Sequence, residues 1–578
     1  MGGFLIAKRE KGVELEETER LLVESANVFY KNRLTLNKNL VTQDYVIYVF
    51  NKYKALRDNA LLYDNGDFII ATGTMFYRGK MGDSALRQLY NDFSVETQNF
   101  FSDLLGNYCL IIFKAGRLYL VNNPAGVYRV YCDRSKKVFS TSFLAILKSL
   151  KKHTIGAQEF YEYIFDGAVY GGKTMVKEIE IIDANNILQL SSTLSTIPVS
   201  LSFLKRYDFK SFNKSVEECA GQLIDYYTII KENYGDSVCS ALTAGMDTRL
   251  MLACMRNVDI KPYLYIYGSE NNTDVKIAKM IAKGEGLILD HEDISKFPRI
   301  NKDEYSDFLE KQYYMNDGLG IEGIFDNGSD LSLRFKRIEK SQLQLNGGGY
   351  LLRLFYSLPD RATPIMSFLK AKHDGGDYSM CRHFNKGSYF LTVAEKIKDT
   401  LNINQDHIDR KQVETLFFDW RIRYWTAFNH MINEQLADAL LPGIEPQFTN
   451  LTLNIPYKYM YLGIFQAAVI KLIQPDIARY PSQYGYNFYD YDKIPLRIRM
   501  REFMQFHTPI MLRSYIRKNY LNKIRKGSLP YYLTKEYLDV IFPSSELNIS
   551  EFVDINKITD RRMLSRALSV ELVLTSRF

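Results

Sequence analysis

The 578-residue chain offers little that could be cross-linked or metal-bound through sulfur. Its six cysteines, Cys109, Cys132, Cys219, Cys239, Cys254 and Cys381, include no Cys-x-x-Cys pair, which excludes the common zinc and thiol-redox motifs. Isolated cysteines in apolar strings pack as small hydrophobes. No run of about 18 apolar residues occurs, so no membrane-spanning helix is expected. The opening residues, Met1-Gly2-Gly3-Phe4-Leu5-Ile6-Ala7-Lys8-Arg9-Glu10, become charged too early for a secretory signal, and Ile6 breaks the myristoylation pattern. A cytoplasmic location is expected. Internal repeats and low-complexity linkers are also missing.

Charge of one sign is not concentrated. The net charge of +7 and pI of about 8.7 are mild for this length, so a nucleic-acid partner is not expected. One stretch departs from this: Arg497 to Lys526 holds nine Lys and Arg against the single acid Glu502. Such a stretch reads first as a solvated face, and second as a surface for an acidic partner.

What is abundant is core material. Hydrophobic residues make up 46%, with 42 Tyr and 35 Phe, enough for more than one core, and the length predicts two domains. Residues 1 to about 205 read as β-rich. Cys109–Lys114, a turn at Ala115-Gly116 and Arg117–Asn122 form a hairpin pattern. Val127–Tyr131 and Lys137–Thr141 suggest another. From residue 206 to 578, apolar spacings of three and four alternate with short β runs, the texture of an α/β domain with many helices. Asp406 to Ala439 has helical periodicity.

The segment richest in chemistry runs from Asp236 to Met255. Val238 to Leu242 reads as a buried parallel strand, Thr243-Ala244-Gly245 as a small-residue turn, and Thr248 onward as helix. Strand, small turn and helix aim free backbone N–H groups at an anion. Gly245 permits close approach, Thr243 and Thr248 supply hydroxyls, and Asp247 suits a Mg²⁺ ligand or a turn cap. An ordinary β–α turn would carry the same pattern.

Leu242-Thr243-Ala244-Gly245-Met246-Asp247-Thr248 resembles the pyrophosphate loop, Leu-Ser-Gly-Gly-x-Asp-Ser, of the asparagine synthetase family. Tyr263–Gly268 is similar to that family's second strand, and Asp274 with Ala278–Ala282 to its next helix. Leu345-Asn346-Gly347-Gly348-Gly349 resembles its Gly-rich segment, and Gln447-Phe448-Thr449-Asn450 stands where it often has Pro-Phe-Leu-Asp. In the first half Gly106–Ile112, Asn123–Val127 and Phe139–Leu144 look like its glutaminase-type fold. The resemblance implies an N-terminal-nucleophile-type α/β/β/α sandwich over 1–205 and an adenine-nucleotide α-hydrolase-like, PP-loop domain with a parallel sheet over 206–578. It also implies adenylation of a carboxylate by ATP with Mg²⁺ and attack by an amine or ammonia. The substrates would be small molecules or a peptide, and a homodimer is possible. By position Leu242, Thr243, Ala244, Gly245, Asp247, Thr248, Tyr267, Asn346 and Gly347 would hold the nucleotide, and Asp247 the metal.

Several departures qualify the expected activity. The family's glutaminase needs a Cys after the initiator Met to attack the amide, and Gly2 stands there. Thr74 and Phe76 occupy the stretch of its substrate-binding Asn-Gly. No glutaminase activity is therefore expected. The Gly-rich segment continues into Tyr350-Leu351-Leu352-Arg353 rather than Asp-Glu, which leaves Asp274 or Asp360 as substitutes. Where the family carries a catalytic Lys stands Arg479-Tyr480-Pro481-Ser482-Gln483-Tyr484-Gly485, so Arg479 becomes the candidate to stabilise phosphate charge. The alternative is a catalytically degenerate, nucleotide-binding or scaffold protein. Gly167–Thr174 matches the Walker A pattern, but a helical run precedes it and an alternating run follows, the reverse of what a P-loop requires.

Overall fold

The computed structural model describes residues 1–9, 15–191, 194–200, 204, 207–372, 378–516, 528–543 and 546–578. In the first half, alternation of apolar side chains explains the layers. Along β1 (Gly3–Lys8), Phe4 and Ile6 enter one core, while Leu5 and Ala7 enter another on the opposite face, as the two-residue period of a strand requires. The same holds in β5 (Phe68–Tyr77), where Phe68 and Ile70 face inward and Ile69 and Ala71 face a helix. Strands covered on both faces read as unbroken hydrophobic runs.

The other strands are β2 (Leu36–Val41), β3 (Tyr45–Phe50), β4 (Ala60–Leu62), β6 (Leu104–Lys114), β7 (Arg117–Asn122), β8 (Tyr131–Asp133), β9 (Val138–Ser140), β10 (Ile179–Ile181), β11 (Asn186–Leu190) and β12 (Ser195–Pro198). They form two six-stranded antiparallel sheets, ordered β10-β8-β9-β1-β3-β2 and β12-β11-β7-β6-β5-β4. The helices Leu15–Lys31 and Phe143–Ser149 cover the first sheet and Gly82–Asp92 the second. The hairpin at Ala115-Gly116 forms with both turn residues at positive φ, 52° and 75°. The second expected hairpin is shorter: only Tyr131-Cys132 pairs with Phe139-Ser140, because residues 127–130 are irregular and join no strand. Gly167–Thr174 follows the helix Ala157–Asp166, with β10 after it; no helix start faces the loop.

The second half is built on a parallel sheet of β13 (Val238–Ala241), β14 (Tyr263–Tyr267), β15 (Leu289–Glu292), β16 (Leu343–Leu345) and β19 (Asp438–Leu440), in the order β15-β14-β13-β16-β19. A two-stranded piece, β17 (Thr363–Pro364) and β18 (His407–Ile408), lies apart. Winding runs outward from β13 to β15, then returns to the other side of β13 at β16. That reversal opens a crevice at the carboxyl ends of β13 and β16, where ligands of open α/β sheets bind. The chain is thus of the mixed α/β class.

The helical periodicity expected over Asp406–Ala439 holds from 410 to 436, in three consecutive pieces, while His407–Ile408 and Asp438–Ala439 are strand. Arg410–Leu416 begins with a capping box between Asp409 and Gln412, Phe417–Thr426 is a π-helix of ten residues, and Ala427–Leu436 is α again. A π-helix beyond one turn is rare and often marks a functional position. The basic stretch contributes the helices Leu496–His507 and Ile510–Ile516; Arg517, Lys518, Lys523, Arg525 and Lys526 lie outside the described residues.

Candidate functional site

Leu242 follows β13 fully buried, its N–H bonded to the Tyr265 carbonyl at 2.9 Å. The chain then turns through Thr243, Ala244 and Gly245 into the helix Met246–Asn257. The sequence predicts that the amides of this turn are free, but the first three are taken. Thr243 N–H donates to Thr248 Oγ1 at 3.0 Å, Ala244 N–H to Asp274 Oδ1 at 3.1 Å and Gly245 N–H to Thr243 Oγ1 at 3.1 Å. Threonine at 243 and 248 accounts for two of the three: their hydroxyls lie 2.9 Å apart and fold back on the loop. The unspent donors belong to the helix start. Its N-cap, Gly245, has no side chain to cap the first turn, and an uncapped first turn attracts anions.

The Gly-rich segment reaches the same place from β16. Asn346 N–H bonds to Leu440 O at 3.0 Å, and Asn346 Oδ1 accepts Gly348 N–H at 2.9 Å. A Cβ built on Gly347 would meet Asp247 Cβ at 3.5 Å, so the ends of the two strands abut. Tyr267, one strand away, accepts a hydrogen bond from Arg337, whose guanidinium lies over the rings of Tyr265 and Tyr267. The structure therefore brings Leu242, Thr243, Ala244, Gly245, Asp247, Thr248, Asn346 and Gly347 to one crevice, with Tyr267 at its flank.

Asp247 is already engaged. Its Oδ1 accepts from Gln466 Nε2 at 2.8 Å, and its Oδ2 lies 3.5 Å from Arg353 Nη2. Asp274 is spent on the Ala244 amide, and Asp360 is exposed. Among the described residues no group of three or more His, Cys, Asp or Glu is arranged to hold a metal. A guanidinium beside the Asp247 carboxylate repels a dication, so the donors as arranged here do not fit Mg²⁺.

Arg479 does not join this group. It is exposed on the short helix Pro475–Arg479, stacked on Tyr489 with Cζ 3.7 Å from the ring centroid. The segment after it does reach the loop. Gln483 N–H donates to Ala244 O at 3.3 Å, and a Cβ on Gly245 would lie 3.5 Å from Gln483 Nε2. Arg249 holds that segment. Fully buried, it donates to the carbonyls of Ile477, Tyr480 and Pro481 and lies under Phe488; burial lowers its pKa to about 10. Sequence reasoning missed Arg249 because it sits in the helical run beside Thr248, where an exposed Arg would read identically.

Beside Asp247 lies a cavity of about 240 Å³, lined by Asn346, Arg353, Arg421, Trp425 and Asn429 among others. Trp425 and Asn429 also line a larger one of about 760 Å³. There burial raises the pKa of Asp326 to about 7.

Backbone crowds position 2, where the resembled family carries its nucleophile. Gly2 N–H bonds to Phe50 O at 2.8 Å, and a Cβ on Gly2 would lie 3.0 Å from Asn51 O and Lys52 Cα. Polar groups next to it are paired across the halves. Buried Lys52 Nζ contacts Thr74 Oγ1 at 3.0 Å, Glu434 Oε2 at 2.6 Å and Asp438 Oδ1 at 2.8 Å. Burial works against the Lys52 charge, but Asp438 and Glu434 hold its pKa above the ordinary value.

No family model matches the chain, and no curated protein matches it. Among solved structures, it is similar to the allosteric regulatory enzyme of purine biosynthesis at 9% identity and a TM-score of 0.24, over 50% of this chain and 64% of that one. It is also similar to glutamine phosphoribosylpyrophosphate amidotransferase from B. subtilis complexed with ADP and GMP, at 9% identity and a TM-score of 0.23, over 53% and 70%. The chain thus spans less than two thirds of the first, and likenesses this low carry no argument about activity.

Proposed function

We propose that the chain is an ATP-dependent carbon–nitrogen ligase of the asparagine synthetase kind, without glutamine hydrolysis of its own. A carboxylate oxygen of the substrate attacks the α-phosphorus of ATP, pyrophosphate leaves, and an amine or ammonia displaces AMP from the acyl-adenylate to give the amide. One observation supports this most. The Thr243–Thr248 turn and Asn346-Gly347 flank the crevice where the winding of the parallel sheet reverses, the position at which such sheets bind nucleotides. In this reading the first turn of the helix Met246–Asn257 faces the leaving pyrophosphate, Thr248 and Asn346 orient it, and Leu242 and Tyr267 border the adenosine. The larger cavity beyond Trp425 and Asn429 receives the carboxylate substrate.

A second reading is favoured by Arg353 beside Asp247: the chain binds nucleotide as a non-catalytic scaffold. Exchange of labelled pyrophosphate into ATP separates the two. The ligase reading predicts exchange dependent on a suitable carboxylic acid, and its loss in Asn346→Ala, which removes a residue placed on the pyrophosphate. Wild-type exchange that survives Asn346→Ala contradicts it, and binding of ATP with no exchange across a broad set of acids favours the scaffold.

A further inference from the structure

Among the residues lining the cavity beside Asp247, the charges are two guanidinium groups against one carboxylate, Arg353 and Arg421 against Asp247. Both guanidinium groups are under-used. Arg353 has its Nε buried with no hydrogen-bond partner, and its ion pair with Asp247 is long at 3.5 Å. Arg421 forms no hydrogen bond or ion pair among the described residues; its Cζ lies 3.3 Å from the ring centroid of Trp425. Burial lowers its pKa, and Tyr170, Tyr356 and Asp166 offset this only in part.

The two arginines come from separate elements. Arg353 follows the Gly-rich segment by four residues, where the resembled family continues with acids. Arg421 projects from the π-helix, whose wide turn also sets Phe417 and Trp425 on this cavity. A stacked guanidinium keeps its planar fork fixed and its donors free, an arrangement suited to bidentate capture of phosphate. The uncapped first turn of the helix Met246–Asn257 begins beside the same space.

We propose that Arg353 and Arg421 form a metal-independent clamp for the pyrophosphate end of a nucleotide, supplying the positive charge that a Mg²⁺ ion would otherwise bring. The proposal rests on the nucleotide reading of the crevice and names the charge chemistry of its ligand: a nucleotide polyphosphate free of divalent metal. Arg353 draws away from Asp247 as the anion enters, and Gln466 keeps the carboxylate.

Calorimetric titration of the full chain with ATP and with inorganic pyrophosphate, in EDTA and in Mg²⁺, tests it. Both ligands should bind in EDTA, with no tightening when Mg²⁺ is added. Arg421→Gln breaks no hydrogen bond of the free protein, so it should melt as the wild type does. It should weaken binding in EDTA by about tenfold or more, the worth of a charge-assisted phosphate contact. Arg353→Glu should abolish binding in EDTA and recover it with Mg²⁺. Binding by the wild type only with Mg²⁺, or an unchanged affinity in Arg421→Gln, overturns the clamp while leaving the nucleotide reading intact. Binding of neither ligand in either buffer overturns the nucleotide reading itself.

Discussion

Lys52 carries the sharpest consequence at the scale of single residues. It is buried with Glu434 and Asp438 at hydrogen-bonding distance, and removing one member of such a group leaves uncompensated charge. Lys52→Met should destabilise the protein by about 3–5 kcal/mol, read from denaturant unfolding. A loss below about 1 kcal/mol would mean that the group is solvated in solution. Nothing in the sequence around Lys52 marks it, because the partners are supplied more than 380 positions away. Asp247, by contrast, was legible from its turn alone, while its neighbours Gln466 and Arg353 were not.

Glu445 adds a pH dependence. Burial raises its carboxyl from 4.5 to about 8, partly offset by hydrogen bonds from Tyr226 and Gly106. Between those values the folded chain holds one more proton than the unfolded chain. This contribution is therefore full below pH 4.5 and is lost as pH rises through about 8. Its limiting slope is about 1.4 kcal/mol per pH unit. Thermal unfolding should show the decline between pH 5 and 8 in the wild type and a shallower one in Glu445→Gln. Equal slopes would place Glu445 in water.

Among the elements, the strand–turn–helix at Val238–Asn257 was readable because a short apolar run, small residues and helix formers follow in order. How its amides are satisfied was not, since Asp274 reaches Ala244 across thirty positions. The π-helix was also hidden: its residues fit α periodicity, and only the packing on both sides selects the wider turn. The covering segment 477–485 depends on Arg249, whose three carbonyl partners a shorter cation cannot reach together. Arg249→Lys should speed amide exchange at Gln483, whose N–H bonds to Ala244 O, while the β13 and β14 amides keep their protection. Unchanged exchange at Gln483 would show that the segment is held by other contacts.

For the whole molecule, the antiparallel sheets were visible as twofold alternation and continuous apolar strands, and the parallel sheet as short β runs alternating with helical spacings. How the halves join was not visible, because joining is the work of single polar atoms. Thr74 Oγ1 accepts the Ala439 amide at 3.0 Å, Asn107 Oδ1 the Leu441 amide at 3.0 Å, and Met431 enters the core between the two antiparallel sheets. Strand β19 is thereby fixed against β5 and β6, and β19 in turn borders β16 at the crevice. Among the described residues no helix is long and apolar enough to cross a membrane.

All of this converges on the crevice between β13 and β16. Its most direct test is a crystal structure of the full chain soaked with ATP. The account predicts phosphate density at the first turn of the helix Met246–Asn257, in reach of Arg353 and Arg421 and beside Asn346-Gly347. ATP bound elsewhere, with Arg353 still on Asp247 and the crevice closed by Gln483, would contradict it.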